Sequence, residues 1–246
     1  MSCFILILTL LSATTQALPS QASTDPTCLL PSSIQTSSLY TGLEPNTPGI
    51  RPGLSNSSTS STNFINFCSS HTLTNGKQIT SGSCNPIPLG RIPSTEHMVS
   101  SLITFPSSST PVPALRTFNV TILTRGLSAG YLVNPSANYY SAPQDLDSST
   151  GEIKGHCHVT IQSLLGNGEM PLDARDFVFF KGVDDAGVEK GNGVKELWAE
   201  VTGGLPEGRY RVCSLAAAAN HQPVVMPVAQ RGAQDDCIRF AVGELE

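Results

Sequence analysis

The chain has 246 residues with a formal net charge of −5 at pH 7, and only 13% of its residues are charged. So few positive charges leave no basic surface for nucleic acid or for anionic lipid, and we expect neither as a partner. No apolar run approaches the roughly 20 residues of a membrane-spanning helix, so we expect no membrane span.

The first apolar segment, residues 4–11, is too short to cross a bilayer and is typical of a secretory signal peptide. Small residues offer cleavage frames near Ala17 and Ala22, and we assign residues 1–22 to the signal. The sequence therefore predicts a secreted protein, extracellular or associated with a cell wall.

Cleavage would remove Cys3 and leave six of the seven cysteines in an oxidising compartment, where disulfides are expected. Closeness in the sequence favours pairing Cys68 with Cys84 and Cys213 with Cys237. Two states are open for Cys157, which we expect to face the core: a disulfide with Cys28, or a buried free thiol.

Residues 23–66 are rich in Ser, Thr and Pro, a composition that buries no core and predicts a disordered, flexible arm. Residues 67–90 contain Asn75-Gly76, a strong two-residue hairpin signal, and predict a small hairpin closed by Cys68 and Cys84. Two N-glycosylation sequons begin at Asn56 and Asn119.

Residues 91–246 predict one all-β domain, because no segment keeps a helical apolar period over three turns. We expect an immunoglobulin-like two-sheet β-sandwich. The predicted strands lie near residues 101–105, 117–124, 129–133, 155–164, 176–181, 195–202, 208–215 and 236–242. In the second of them, alternation turns Asn119 and Thr121 outward.

Strand 155–164 carries the most informative pattern of the chain. Because side chains alternate across a strand, His156 and His158 share one polar face while Cys157 and Val159 share the other. Two imidazoles in this arrangement, joined by a third from elsewhere, form the kind of site that zinc or copper occupies.

Further ligands for such a site are offered by His221, just beyond a strand, and by His97. Met98 or Met226 nearby would favour copper over zinc. The alternative is structural: the histidines hydrogen-bond to the backbone and to Gln162 or Asn220, and so fix a long loop on the sandwich.

Three other motifs are weaker. The run 126–130 matches the nucleophile elbow of α/β hydrolases around Ser128, but its downstream sequence is strand-like where that fold requires a helix. Residues 145–152 resemble a calcium loop with a displaced glycine, and we expect a solvated turn. We assign no catalytic residue.

Acidic pairs at Asp184-Asp185 and Asp235-Asp236 are expected to be loop carboxylates, since nothing places a second acidic group opposite either pair at the separation that glycoside hydrolysis requires. Trp198 faces the polar side of its strand. It is suited either to stacking on a sugar ring or to packing beneath a loop.

Five motifs resemble a family of uncharacterised fungal secreted proteins, some of whose members carry a ribosomal-protein label. The motifs are TLTNGK (72–77), GSCNPIP (82–88), APQDL (142–146), GHCHVTIQ (155–162) and NHQPVVMPVAQRGAQDDC (220–237). The resemblance covers residues 26–246 and implies an extracellular fungal protein, at the wall or at a host interface.

These observations favour a secreted surface or interaction protein whose partner is a cell-wall glycan or an extracellular protein, with a transition-metal site on its His-x-His strand. The alternative is a secreted metal-dependent or serine-dependent enzyme.

Overall fold

The computed structural model describes residues 29–48, 56, 58–77, 79, 81, 84–135, 139–140, 142–164 and 170–244. The chain divides into two compact units, Met1–Ser70 and His71–Glu246. The predicted signal peptide, residues 1–22, lies outside the described residues, and so does Cys28.

In the first unit, the described part of the predicted arm contains two 3-10 helices, Pro31–Ser33 and Thr36–Leu39. Polar contacts hold them: the Gln35 backbone N–H donates to Asn63 Oδ1 at 2.9 Å. Among the described residues of this unit, Cys68 is the one buried side chain. The hydroxyl-rich composition thus forms local turns without a hydrophobic core.

The predicted hairpin at residues 67–90 differs from the structure. Asn75 and Gly76 do form a turn, with φ values of 45° and 75°. However, Leu73 pairs with Cys84 in an isolated parallel bridge, so the flanking chain forms no antiparallel ladder in its described part. Leu73 is 47% exposed, and a short exposed hairpin has too little burial to be stable by itself. That Cys68 and Cys84 pair with each other stays a prediction.

The second unit contains a 3-10 helix, Thr95–His97, and nine strands in its described part. The strands are β1 (Ser100–Phe105), β2 (Phe118–Arg125), β3 (Leu127–Ser128), β4 (Ile153–Ser163), β5 (Phe179–Val183), β6 (Val188–Gly191), β7 (Val194–Val201), β8 (Gly208–Ala218) and β9 (Cys237–Val242). No helix among the described residues is long and apolar enough to cross a membrane.

The strands form two sheets. One has the order β1-β2-β7-β6, and the other has the order β3-β4-β8-β9, with β5 paired to β4 on the same edge as β3. Setting β3 aside, these orders correspond to the A-B-E-D and C′-C-F-G sheets of immunoglobulin-like domains. The predicted all-β, immunoglobulin-like sandwich is therefore confirmed.

The core lies between the sheets and follows the alternation of the strands. Val120 and Leu197 come from one sheet and Val159, Ile161 and Val212 from the other, and all five are fully buried in one cluster. A disulfide between Cys213 and Cys237 links β8 to β9. The turn before β8 is held as in many immunoglobulin-like domains, because the Tyr210 hydroxyl donates to the Pro206 carbonyl at 2.9 Å.

One predicted strand is wrong. Residues 129–133 do not form a strand; the pairing stops at Ser128, and the chain then crosses the outer face of β4, where the Tyr131 N–H donates to the Gly155 carbonyl at 3.1 Å. Gly130, with φ of 100°, makes the change of direction possible. This crossing segment forms one wall of the site described next.

Candidate metal centre

Strand β4 places two imidazoles on the outer face of the second sheet. Cys157 and Val159 turn into the core, so His156 and His158 turn outward. His158 lies between Gly182 on β5 and Leu215 on β8. A Cβ added to Gly182 would come within 3.2 Å of Leu132 Cδ1 on the crossing segment, so Gly182 lets that segment pack closely over β5 beside His158.

The third imidazole comes from the loop after β8. His221 has a φ of 73°, a left-handed conformation that non-glycine residues seldom adopt. Two contacts hold it there: its backbone N–H donates to the Ala218 carbonyl at 2.8 Å, and its Nε2 donates to the Val133 carbonyl at 2.8 Å. The backbone turn therefore directs the ring of His221 toward β4.

The three rings form a compact cluster. The centroid of the His156 ring lies 4.6 Å from that of His158 and 4.7 Å from that of His221. One nitrogen from each ring lies within 4.8 Å of the other two. The structure does not bring His97 into this cluster; its ring lies beside Gly151, in the loop before β4.

These distances suit a metal ion. His156 Nε2 and His158 Nε2 are 3.2 Å apart, and a tetrahedral ion with Zn–N bonds of about 2.0–2.1 Å holds its ligand nitrogens about 3.3–3.4 Å apart. Since 4.8 Å is the upper limit for the trio, the ring nitrogen of His221 would move by at most about 1.4 Å to bind the same ion.

Backbone carbonyls fix the tautomers of His156 and His221. His156 Nδ1 lies 2.9 Å from the Tyr131 carbonyl, and since a carbonyl only accepts, Nδ1 carries the proton and Nε2 is left with its lone pair. By the same argument, His221 Nε2 donates to Val133 and leaves Nδ1 as the ligand atom. Carbonyl partners on the far nitrogens are the usual outer contacts of metal-binding histidines.

Two rings of the cluster are also held neutral. Burial, together with the neighbouring His158, lowers the pKa of His156 to about 4. Burial likewise lowers the pKa of His158 to about 4, with an added contribution from His221. Neutral imidazole is the form that binds a metal, so these two rings stay ready for binding well below pH 6.

A cleft of about 620 Å³ opens beside the cluster and includes His158 and His221 in its wall. The Phe180 ring stacks on His158 at 5.2 Å between centroids, and the Tyr139 ring stacks on His221 at 5.8 Å. The rest of the wall is mainly apolar and includes Leu132, Pro135, Leu215 and Pro223. Three protein ligands beside a cleft leave a coordination position that an external molecule can reach.

Comparison with known proteins assigns the chain to a family. Residues 101–243, more than half of it, match the family described as the CLU5d N-terminal domain. The chain belongs to this family. It is 51% identical over 219 residues to "Pathogenicity cluster 5 protein d" of Colletotrichum graminicola, an alignment that covers 88% of this chain and 43% of that protein. The chain therefore spans less than half the length of this relative.

The membership confirms the resemblance to a fungal family that the sequence motifs indicated. The matched region contains His156, His158 and His221 and ends one residue after β9. The candidate metal centre therefore lies wholly inside the region that defines the family.

The sequence did not place Asp235 in the cleft. Asp235 lines the cleft, accepts a hydrogen bond from the Ala216 N–H at 2.6 Å, and has its pKa raised by burial. The sequence suggested only a loop carboxylate. The signal that would have located it is the pairing of Cys237 with Cys213, which places Asp235 alongside β8.

Ser128 does not occupy a nucleophile elbow. It is the second residue of strand β3, is 8% exposed, and its Oγ donates to Asp147 Oδ2 at 3.4 Å. The element that follows β3 in the described chain is strand β4, with no helix between them. An elbow requires a strand, a sharp turn and a helix, so the context of a serine hydrolase is missing.

The acidic loop 145–152 is a solvated turn. Asp145 forms ion pairs with Arg91 at 3.1 Å and Lys154 at 3.5 Å. The hydroxyl of Ser149 and then its backbone N–H donate to Asp147 Oδ1, at 2.5 and 2.8 Å, and these hydrogen bonds lower the pKa of Asp147 to about 2. Both carboxylates thus have partners within the protein, as expected for a turn.

The remaining candidates lie away from the cluster. Gln162 bonds to the carbonyls of Asp173 and Asp176, and Asn220 to that of Ala142, so neither amide has a histidine as its partner in these contacts. Met226 packs against the core. Of the two sequon residues, Asn56 is exposed, and Asn119 is exposed on β2.

Cys157 is a buried free thiol, the second of the two states that the sequence left open. It is 1% exposed, and burial raises its pKa to about 12. Its side chain packs in the core, on the opposite face of β4 from the imidazoles. It therefore takes no part in the histidine cluster.

Proposed function

We propose that this domain is a secreted interaction module, extracellular or associated with the fungal wall, that binds a zinc or copper ion through His156, His158 and His221. One observation carries the proposal: two ring nitrogens at a spacing that suits one metal ion, next to a third whose far nitrogen is bonded to a carbonyl.

The extracellular location is supported by the Cys213–Cys237 disulfide and by the apolar start of the chain. The relative from Colletotrichum graminicola is described as a pathogenicity cluster protein. The partner that we propose for the exported domain is a cell-wall glycan or an extracellular protein.

A bound ion would supply a Lewis-acidic position at the cleft. The chain itself contributes three imidazole nitrogens, an apolar wall that includes Phe180, and the Asp235 carboxyl at the cleft. This arrangement favours a metal-dependent enzyme over a serine-dependent one as the alternative function, because Ser128 is buried in strand β3.

The test is metal binding by the purified secreted protein. After chelation and dialysis, isothermal titration with Zn²⁺ and with Cu²⁺ is expected to give one ion per chain. The His156→Ala/His158→Ala double variant should lose about 100-fold or more in affinity, since two of three ligands are gone.

His97→Ala is the matched control, because it removes an imidazole that lies outside the cluster. It should bind metal like the wild type, and circular dichroism should show that every variant is folded. Equal affinity of wild type and double variant, or absence of binding to either ion, would contradict the proposal. Copper is expected to bind more tightly than zinc to a site of this composition.

A further inference from the structure

A second concave surface lies between the outer face of strands β2 and β7 and strand β5 with the residues that follow it. This groove, of about 330 Å³, is lined by Asn119, Lys181, Gly182, Val183, Asp184, Asp185, Trp198 and Glu200. Its lining is mostly polar, with one large aromatic ring, a composition that differs from that of the apolar cleft beside His158.

Strand register brings the Asn119 sequon into this groove. Strands β2 and β7 are antiparallel, with Asn119 opposite Glu200 and Thr121 opposite Trp198. All four side chains therefore lie on the outer face of this sheet. Trp198 is a diagonal neighbour of Asn119, at a distance that a large side chain or a sugar on Asn119 can cover.

Trp198 is the single tryptophan of the chain and is 39% exposed. Its strand neighbours Leu197 and Ala199 are fully buried, so the exposure of the indole follows from its outward direction. An indole combines a broad apolar face with a polar N–H, and such rings are favoured where one side is covered by a partly apolar ligand. The apolar face of a pyranose ring is such a ligand.

The polar lining suits the rest of a sugar. The carboxylates of Asp184 and Glu200 are acceptors for hydroxyl groups, and the Lys181 ammonium is a donor. Charge-assisted hydrogen bonds of this kind fix the orientation of a hydroxylated ligand on a stacking surface.

We propose that Asn119 carries an N-linked glycan whose first sugar lies in this groove, stacked on Trp198. The occupant is the chain's own modification, because Asn119 itself lines the groove. The proposal needs no metal ion; Gly182 lines both this groove and the cleft beside His158.

The experiment uses the fluorescence of the single tryptophan in protein secreted from a yeast host. Peptide mapping should find the glycan on Asn119. Complete removal of the glycan by an amidase should raise the acrylamide quenching constant of Trp198 about twofold, because the indole becomes uncovered. An endoglycosidase that leaves the first sugar in place should leave the quenching constant unchanged.

Two variants complete the test. Asn119→Gln should quench like the fully deglycosylated protein, while Asn56→Gln, which removes the other sequon, should quench like the wild type. An unoccupied Asn119, or equal quenching before and after complete removal of the sugar, would overturn the proposal. So would a quenching constant that rises equally after either enzyme, since the first sugar would then not be the group that covers the ring.

Discussion

The two faces of strand β4 differ in what their buried side chains contact. On the inner face, Cys157, Val159 and Ile161 are at most 1% exposed and pack in the core. On the outer face, His156 is equally buried, but it is covered by a crossing loop and bonded to the Tyr131 carbonyl. Burial alone therefore does not separate core residues from candidate metal ligands; the partners of the buried atoms do.

The contrast extends to what each face can do. The inner thiol donates to the His158 carbonyl at 3.3 Å, and burial raises its pKa to about 12, so its thiolate form is scarcely populated. On the outer face, burial keeps His156 and His158 neutral, and His156 Nε2 accepts a hydrogen bond from His158 Nε2–H at 3.2 Å beside the cleft. The predictions below test whether the two faces behave as differently as this comparison requires.

Truncation on the inner face should give the largest effect on stability. Ile161→Ala removes a fully buried side chain, and we expect a loss of about 2–5 kcal/mol in the free energy of unfolding. Urea denaturation followed by circular dichroism measures it. In metal-free protein, His158→Ala on the outer face should lose less, because this ring is only partly buried. Equal losses for the two variants would remove the distinction between the faces.

Acid should weaken the metal-free protein through the outer face. A fall in the pKa of His156 from 6.5 to about 4 on folding corresponds to about 3 kcal/mol. This stability is present above pH 6.5 and is lost as the pH falls from 6.5 to 4, because the unfolded chain binds protons first. Denaturation midpoints across this range should fall less steeply for His156→Ala than for wild type; parallel curves would show that His156 is not the group that titrates.

The smallest expected effect is on the alkylation of the Cys157 thiol. Cys157 should resist alkylation by iodoacetamide in native protein at pH 8, because burial and a raised pKa both suppress the thiolate. After unfolding without a reductant, mass spectrometry should find Cys157 labelled and the Cys213–Cys237 peptides unlabelled. Fast labelling in the native state would mean that the inner face opens to solvent.

Much of this fold could be predicted from alternation alone. The outward turn of His156 and His158 and the inward turn of Cys157 follow from the two-residue period of a strand. The prediction of a strand at 129–133 was wrong, because the pattern there is strand-like but Gly130 directs the chain away from the sheet edge. A local pattern does not say which strand is available for pairing.

Two Asn-Gly pairs illustrate the same limit. Asn192-Gly193 joins β6 to β7 as a two-residue hairpin loop, and β7 has a fully buried apolar face. Asn75-Gly76 forms a similar turn, but its described flanks make only isolated bridges. The turn residues permit a hairpin in both places, and burial of the flanking strand decides where one forms.

The composition of the site was only partly predictable. His221 could be proposed as a third ligand, but its position depends on a left-handed backbone and on the Val133 carbonyl, neither of which the sequence specifies. His97 was an equally good candidate by sequence and lies outside the cluster. Long-range placement of loops, rather than residue type, selected between them.

The most direct measurement is anomalous diffraction from crystals of the protein loaded with zinc, with data collected on both sides of the zinc absorption edge. We predict one strong peak about 2.0–2.1 Å from His156 Nε2, His158 Nε2 and His221 Nδ1. A peak at other residues only, or no ordered peak in crystals grown with excess zinc, would contradict the assignment of this cluster as a metal site.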